Sequence, residues 1–252
     1  MISHARLLLL LAIVGLSGAP ASAQQATDAN LITAIDVSGS IERADEHLEF
    51  EGMAAAVVDP RFLQAISRGR HGRIGFVAFT WANGEFVSLV PWTLIGSEAD
   101  AEQVAEHLRT ARGKQVRGYP IPILGKQRPW RTGRATDVSA AIEHAIEVAA
   151  AAPFASHHQI VNMCANGTDN IREGPDAARD AADAKDMIVN GLILGRQPDG
   201  DEIAEWFRNH VQTGPGSFVI EARDFEDLAS AMLAKFVFEL AAVSPRATEA
   251  PS

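Results

Sequence analysis

Residues 31–40 read LITAIDVSGS. Six apolar or β-branched residues in seven positions, closed by a sharp polar turn, have the composition of a strand buried on both faces. Asp36, Ser38 and Ser40 then fall at alternate positions, so one carboxylate and two hydroxyls gather in a loop that Gly39 allows to turn tightly. Oxygen donors of this kind suit Mg²⁺ or Ca²⁺ and suit Zn²⁺ poorly. Asp36 is thus the first candidate metal ligand, delivered to the carboxyl end of a central strand.

The pattern around this stretch repeats strand and helix. Residues 42–58 carry an apolar stripe through Leu48, Phe50, Met53, Ala54, Val57 and Val58, which predicts a helix ended by Asp59-Pro60. A near-continuous apolar run predicts a central strand at 73–80, and Asn83-Gly84 predicts a hairpin into an antiparallel edge strand at 85–90. Helices are expected at 98–111, 136–151, 175–186, 199–210 and 224–242, with strands at 159–164, 187–194 and 217–221. Alternation of this kind predicts an α/β fold: a doubly wound, mostly parallel six-stranded sheet with one antiparallel edge strand and helices on both faces. Sites in such sheets form outside the carboxyl ends of strands where strand order reverses.

The chain has 252 residues and a formal net charge of −10. Residues 1–23 read as a secretory signal peptide: Arg6 ahead of the apolar run 7–16, then Ala21-Ser22-Ala23 as a small-residue cleavage site. Residues 24–30 are then a leader, 31–243 the domain and 244–252 a disordered tail rich in Pro, Ala and Thr. No later stretch is long and apolar enough to span a bilayer, so the expected location is the periplasm or the exterior. The acidic balance argues against nucleic acid as a partner, since the phosphate backbone would be repelled. The single cysteine, Cys164, cannot form an internal disulfide and sits in an apolar strand, which predicts a buried inert thiol.

Three loops carry candidate ligands: Asp36, Ser38 and Ser40 in the first, Thr136 just ahead of a helix in the second, and Asn166-Gly167 after the strand at 159–164 in the third. With these residues the chain resembles the von Willebrand factor A family, whose metal-ion-dependent adhesion site uses D-x-S-x-S, a separate Thr and a D-G pair. The stretches AIDVSGSI, VPWTLI at 90–95 and HVQTGPGSFVIEARDF at 210–225 resemble an exported bacterial branch of it, the DUF1194 type. The resemblance implies a protein-binding module. Ser38, Ser40 and Thr136 would offer hydroxyls to Mg²⁺ (or Mn²⁺ or Ca²⁺), Asp36 would bind directly or through water, and a partner protein would offer a carboxylate. Asn166 replaces the second carboxylate of the family pattern, which weakens the expected hold on a dication. Asp137 and Asp169 are nearby acids able to compensate, although neither occupies the matching position. Read without the resemblance, Ser38, Ser40 and Thr136 are equally suited to capping the helices that follow them.

Between His107 and Thr136 there is no acidic residue, while eight of the 22 Lys and Arg fall there. Arg117, Lys126, Arg128, Trp130, Arg131 and Arg134 predict a basic rim beside the metal loops that meets an acidic partner, or else a solvated insertion. No G-x-S-x-G elbow or phosphate-binding G-x-x-x-x-G-K-[ST] loop is present, so an enzyme is not expected. The alternatives are a hydrolase-like, phosphatase-like or small-ligand domain using the Asp36 loop, and a structural module whose metal site has degenerated.

Overall fold

Strand β2 (Asn30–Asp36) is inaccessible along its whole length, and every other element is placed around it. The computed structural model describes residues 24–38, 43–115, 122–123, 126–127, 135–171, 173–194, 199–224 and 227–243. In chain order the elements are β1 (Gln25–Ala26), β2, α1 (Arg43–Val58), α2 (Pro60–Ser67), β3 (Ile74–Ala82), β4 (Glu85–Ile95) and α3 (Glu98–Gln115). There follow β5 (Pro122–Ile123), β6 (Lys126–Gln127), α4 (Val138–Ala150), β7 (Phe154–Ala155), β8 (Gln159–Ala165) and α5 (Asp176–Asp183). The chain continues through β9 (Ile188–Leu194), α6 (Asp199–His210), β10 (Val219–Ala222) and α7 (Leu228–Val243).

Six strands form the main sheet in the order β10-β9-β8-β2-β3-β4. All neighbours are parallel except the β3–β4 hairpin. The chain builds outward from β2 through β3 to β4, then returns to lay β8 on the other side of β2. Strand order therefore reverses between β2 and β8, and in open sheets of this kind ligands bind outside the carboxyl ends of the strands at such a point.

Side-chain alternation along β2 divides the core. Leu31 and Ile35 join Phe50 and Met53 of α1, Phe62 of α2, Leu108 of α3 and Phe236 of α7. Ile32 and Ala34 face the opposite way, toward Ile142 of α4, Ala182 of α5 and Phe207 of α6. A central strand covered on both sides needs no polar face, which is why its sequence reads as an apolar run.

The doubly wound sheet and its antiparallel edge agree with the sequence expectation, and three details extend it. Asp59-Pro60 ends α1 but also starts α2: Asp59 accepts a bond from Arg61 N at 2.8 Å, and Pro60 occupies the first helical turn. Proline lacks the N–H that a helix interior requires but its first turn does not. Strand β4 runs to Ile95 rather than 90, with register shifts opposite Phe76–Phe79; as the last strand of the sheet it tolerates Pro91. Residues of the leader also join the fold, Gln25–Ala26 pairing in parallel with Phe154–Ala155.

A polar row crosses the otherwise apolar sheet. Thr33, Asn162 and Asn190 stand side by side on β2, β8 and β9, all buried. Above them on α7, Lys235 is fully buried and donates to both Asn162 Oδ1 and Glu239 Oε1. Asn190 Nδ2 donates to the same Glu239 oxygen at 2.7 Å, and Asn190 Oδ1 accepts from Phe218 N at 2.9 Å. The Lys235 ammonium lies 5.2 Å from the Phe218 ring centre. Removing one member of a buried pair strands the other charge. Lys235→Met should therefore lower unfolding free energy by about 3–5 kcal/mol in urea denaturation, and the double variant Lys235→Met/Glu239→Leu should recover most of the loss.

Candidate metal centre

Asp36 is the last residue of β2, so its carboxylate is carried to the reversal point by the most buried strand of the fold. Its Oδ1 accepts from Ser38 N at 2.7 Å, an Asx turn that folds the chain back over the strand end. The Ser38 hydroxyl and the Asn166 backbone also bond to this carboxylate. Asp36 Oδ2 is buried and has no hydrogen-bond partner among the described residues. Burial raises the Asp36 pKa from 3.8 to about 6, against the lowering effect of the bonds from Ser38 and Asn166. Local donors thus leave much of the anionic charge unbalanced, and a bound cation would supply what is missing.

The second loop arrives beside it. Thr136 Oγ1 donates to Ser38 Oγ at 3.2 Å across 98 residues of sequence, and both side chains are buried. Thr136 does not cap α4; Asp137 does, its Oδ1 accepting from Ala140 N at 2.9 Å. The helix end is satisfied by the next residue, so the Thr136 hydroxyl is turned to the Asp36 loop. On the far side, Asn83 at φ 53° and Gly84 at φ 72° form the β3–β4 turn, and Asn83 N donates to Ala135 O at 3.0 Å.

The third loop follows β8 and is clipped to the start of α4. Asn170 Oδ1 accepts from Thr136 N at 2.9 Å, and Asn170 N donates to Thr136 O at 3.0 Å. Asp169 Oδ2 accepts from Ser139 N at 3.0 Å and Ser139 Oγ at 2.8 Å, while Asp169 Oδ1 accepts from Ile171 N at 3.1 Å. Gly167 lies against the Thr136 hydroxyl, 3.6 Å from where its own Cβ would be.

Asp36, Ser38, Thr136 and the Asn166-Gly167 backbone are therefore brought together. Asp137 and Asp169, the nearby acids, are engaged in capping α4 and in tying the third loop to it. The sequence reading gives Asn170 and Ser139 no role; the only signal is a polar side chain three residues beyond the Asn-Gly pair. Ser40 lies outside the described residues, as do Arg117, Arg128, Trp130, Arg131 and Arg134. Of residues 116–134, the structure describes the antiparallel pairing of Pro122–Ile123 with Lys126–Gln127, in which Lys126 takes part through its backbone.

The donor set fits a hard dication. Among the described residues no group of three or more His, Cys, Asp or Glu side chains is placed to hold a metal, so an ion here would rest on hydroxyls, one carboxylate and water. Mg²⁺ accepts such a shell because it retains water readily. Cys164 is no competing ligand: it is buried, and desolvation pushes its thiol far above the ordinary range.

The fold is similar to several solved structures. The von Willebrand factor domain of the type V pili tip protein Mfa5 from Porphyromonas gingivalis matches with a TM-score of 0.57 at 8% identity, covering 89% of this chain and 99% of that one. Proximal thread matrix protein 1 from the mussel byssus matches at 0.53 with 17% identity over 86% of this chain. Its form with a zinc-occupied MIDAS motif matches at 0.52 with 18% identity, again over 86% of this chain. This chain spans about half the length of those mussel proteins, 49% in each case. At these identities the likeness is one of fold. No curated protein matches the chain. The family model described as "Protein of unknown function (DUF1194)" matches residues 26–121 and 123–244. The chain belongs to the DUF1194 family, and its fold is like that of a von Willebrand factor domain.

Proposed function

We propose that this chain is an exported, metal-dependent protein-binding module, with Mg²⁺ as its ion. The observation that carries the reading is the fully buried Asp36 carboxylate, one oxygen of which has no partner among the described residues, beside the bonded hydroxyls of Ser38 and Thr136. Ser38, Ser40 and Thr136 would hold the ion through hydroxyls and Asp36 through its free oxygen or a water. A bound dication would supply a Lewis-acidic anchor for an anionic group.

Charge counting then points to the partner. Among the described residues Asp36 is the carboxylate carried to the site, and Asn166 would add an oxygen without a charge. An ion held there keeps a net positive charge, which a carboxylate from a partner protein would neutralise. The pilus-tip and byssal-matrix proteins of similar fold and the secretory character of residues 1–23 support an extracellular or periplasmic binding role. The basic rim of Arg117, Lys126, Arg128, Trp130, Arg131 and Arg134 would steer the same acidic partner toward the metal loops.

Melting temperature in EDTA and in millimolar Mg²⁺, Mn²⁺ or Ca²⁺ tests the site. A ligand that binds only the folded state raises the melting point. The shift should vanish in Asp36→Ala and grow in Asn166→Asp, which restores the second carboxylate. Absence of any shift in the unaltered chain, with a clear one in Asn166→Asp, would show a site disabled by the asparagine.

The raised Asp36 pKa gives an independent check without metal. The folded form keeps a proton that the unfolded chain releases, so Asp36 favours folding most below pH 3.8. Its contribution declines as pH rises through about 6, by about 3 kcal/mol in total. The difference between stability–pH curves of the unaltered chain and Asp36→Asn should show this decline across pH 4–6. Under the same reading, the Mg²⁺-induced melting shift should strengthen as pH rises through 6, because binding requires the ionised carboxylate.

A further inference from the structure

A second buried polar group without a partner among the described residues belongs to the residue paired with Asp36. Trp81 of β3 is 1% exposed, and its indole Nε1 has no hydrogen-bond partner among the described residues. In the parallel ladder Trp81 is the register partner of Asp36, and Val37 N donates to Trp81 O at 3.0 Å. Both side chains leave the sheet on the face where Ile32, Ala34, Val77 and Phe79 pack, since residues two and four apart share a face. A donor and an acceptor without partners among the described residues therefore belong to paired residues of adjoining strands, whose backbones run about 4.8 Å apart.

Neither orphan is typical of a folded interior. Buried indole N–H groups normally find an acceptor, and a stranded carboxylate oxygen is more costly still. The two are chemically complementary but are not bonded to one another. A single water accepts from an N–H and donates to a carboxylate at once, and buried waters recur where polar groups are otherwise unsatisfied.

We propose that Trp81 is a positioning residue of the metal centre, its Nε1–H and Asp36 Oδ2 sharing one buried water. The indole restrains the carboxylate at the mouth of the reversal point, and its donor reports on whatever the carboxylate binds. Ion binding to Asp36 belongs to the function proposed above, but the bridge itself exists without metal. Nothing in the residue pattern marked Trp81 for this role, because an aromatic residue in an apolar strand reads as core.

The indole N–H resonances of the full chain, in a metal-free ¹H–¹⁵N spectrum, test the bridge directly. Trp81→Phe keeps the buried ring and identifies the Trp81 peak by its loss. Asp36→Ala should move that peak upfield and speed its exchange with solvent, while Trp92, whose Nε1 donates to Val148 O at 3.3 Å, stays in place. Cross-relaxation between the Trp81 N–H and a long-lived water should appear in the unaltered chain. A Trp81 peak unmoved by Asp36→Ala overturns the proposal, as does a peak that moves without contacting water. Retained dispersion of the remaining spectrum shows that the variant is folded. If Mg²⁺ raises the melting point of the unaltered chain, Trp81→Phe should weaken its affinity by about 10–100-fold, as loss of an outer partner of a metal ligand does elsewhere. No Mg²⁺ shift combined with a responsive Trp81 peak would sink the metal reading and leave the bridge standing.

Discussion

Everything at the candidate site depends on one constraint: a carboxylate is held at the end of a strand that water cannot reach. Strand β2 is the third or fourth strand from either edge and is covered by helices on both faces. A side chain at its last position is therefore desolvated before any ligand arrives. Asp36 is bonded by Ser38 and by the Asn166 backbone, while its Oδ2 has no partner among the described residues; that asymmetry is what would suit the position to a cation. A serine or asparagine here would be easier to bury and would offer no charge to the site.

The three loops around Asp36 are held mainly by bonds among themselves. Thr136 and Asn170 exchange two hydrogen bonds, Asp169 gathers Ser139 at the first turn of α4, and the β3–β4 turn braces Ala135. Such a scaffold fixes the hydroxyls of Ser38 and Thr136 without help from an ion. Preorganisation of this sort would lower the entropic loss on binding an ion and so would partly offset the charge that Asn166 does not supply.

Much of this was legible in residues. The apolar run ending at Asp36, the Asn83-Gly84 turn and the strand–helix alternation predict the sheet and place its reversal point, because burial and turn chemistry act locally. The meeting of Ser38 with Thr136 was reached through a motif spread across 98 positions, which no local rule supplies. The reading failed where one residue has two compatible roles. Asp59-Pro60 serves as both stop and start, and Pro60 alone does not say whether a new helix follows. The nearness of Asp137 and Asp169 in sequence does not say that both bond to the start of α4, where leftover backbone donors meet them. Asn170 and Trp81 carried no recognisable pattern, since their significance depends on what lies across the fold.

The buried ammonium of Lys235 has a consequence for how the last helix is seated. Most of α7 is Ala, Leu, Val, Phe and Met, a surface on which neighbouring axial settings against the sheet would be nearly equivalent. Moving the helix by one residue turns it about 100° and advances it about 1.5 Å. That displacement would carry the charge away from Asn162 and turn it toward the apolar core that α7 packs against. The single cation thus acts as an alignment key: it removes the degeneracy of a greasy contact and leaves one docking register for the C-terminal helix.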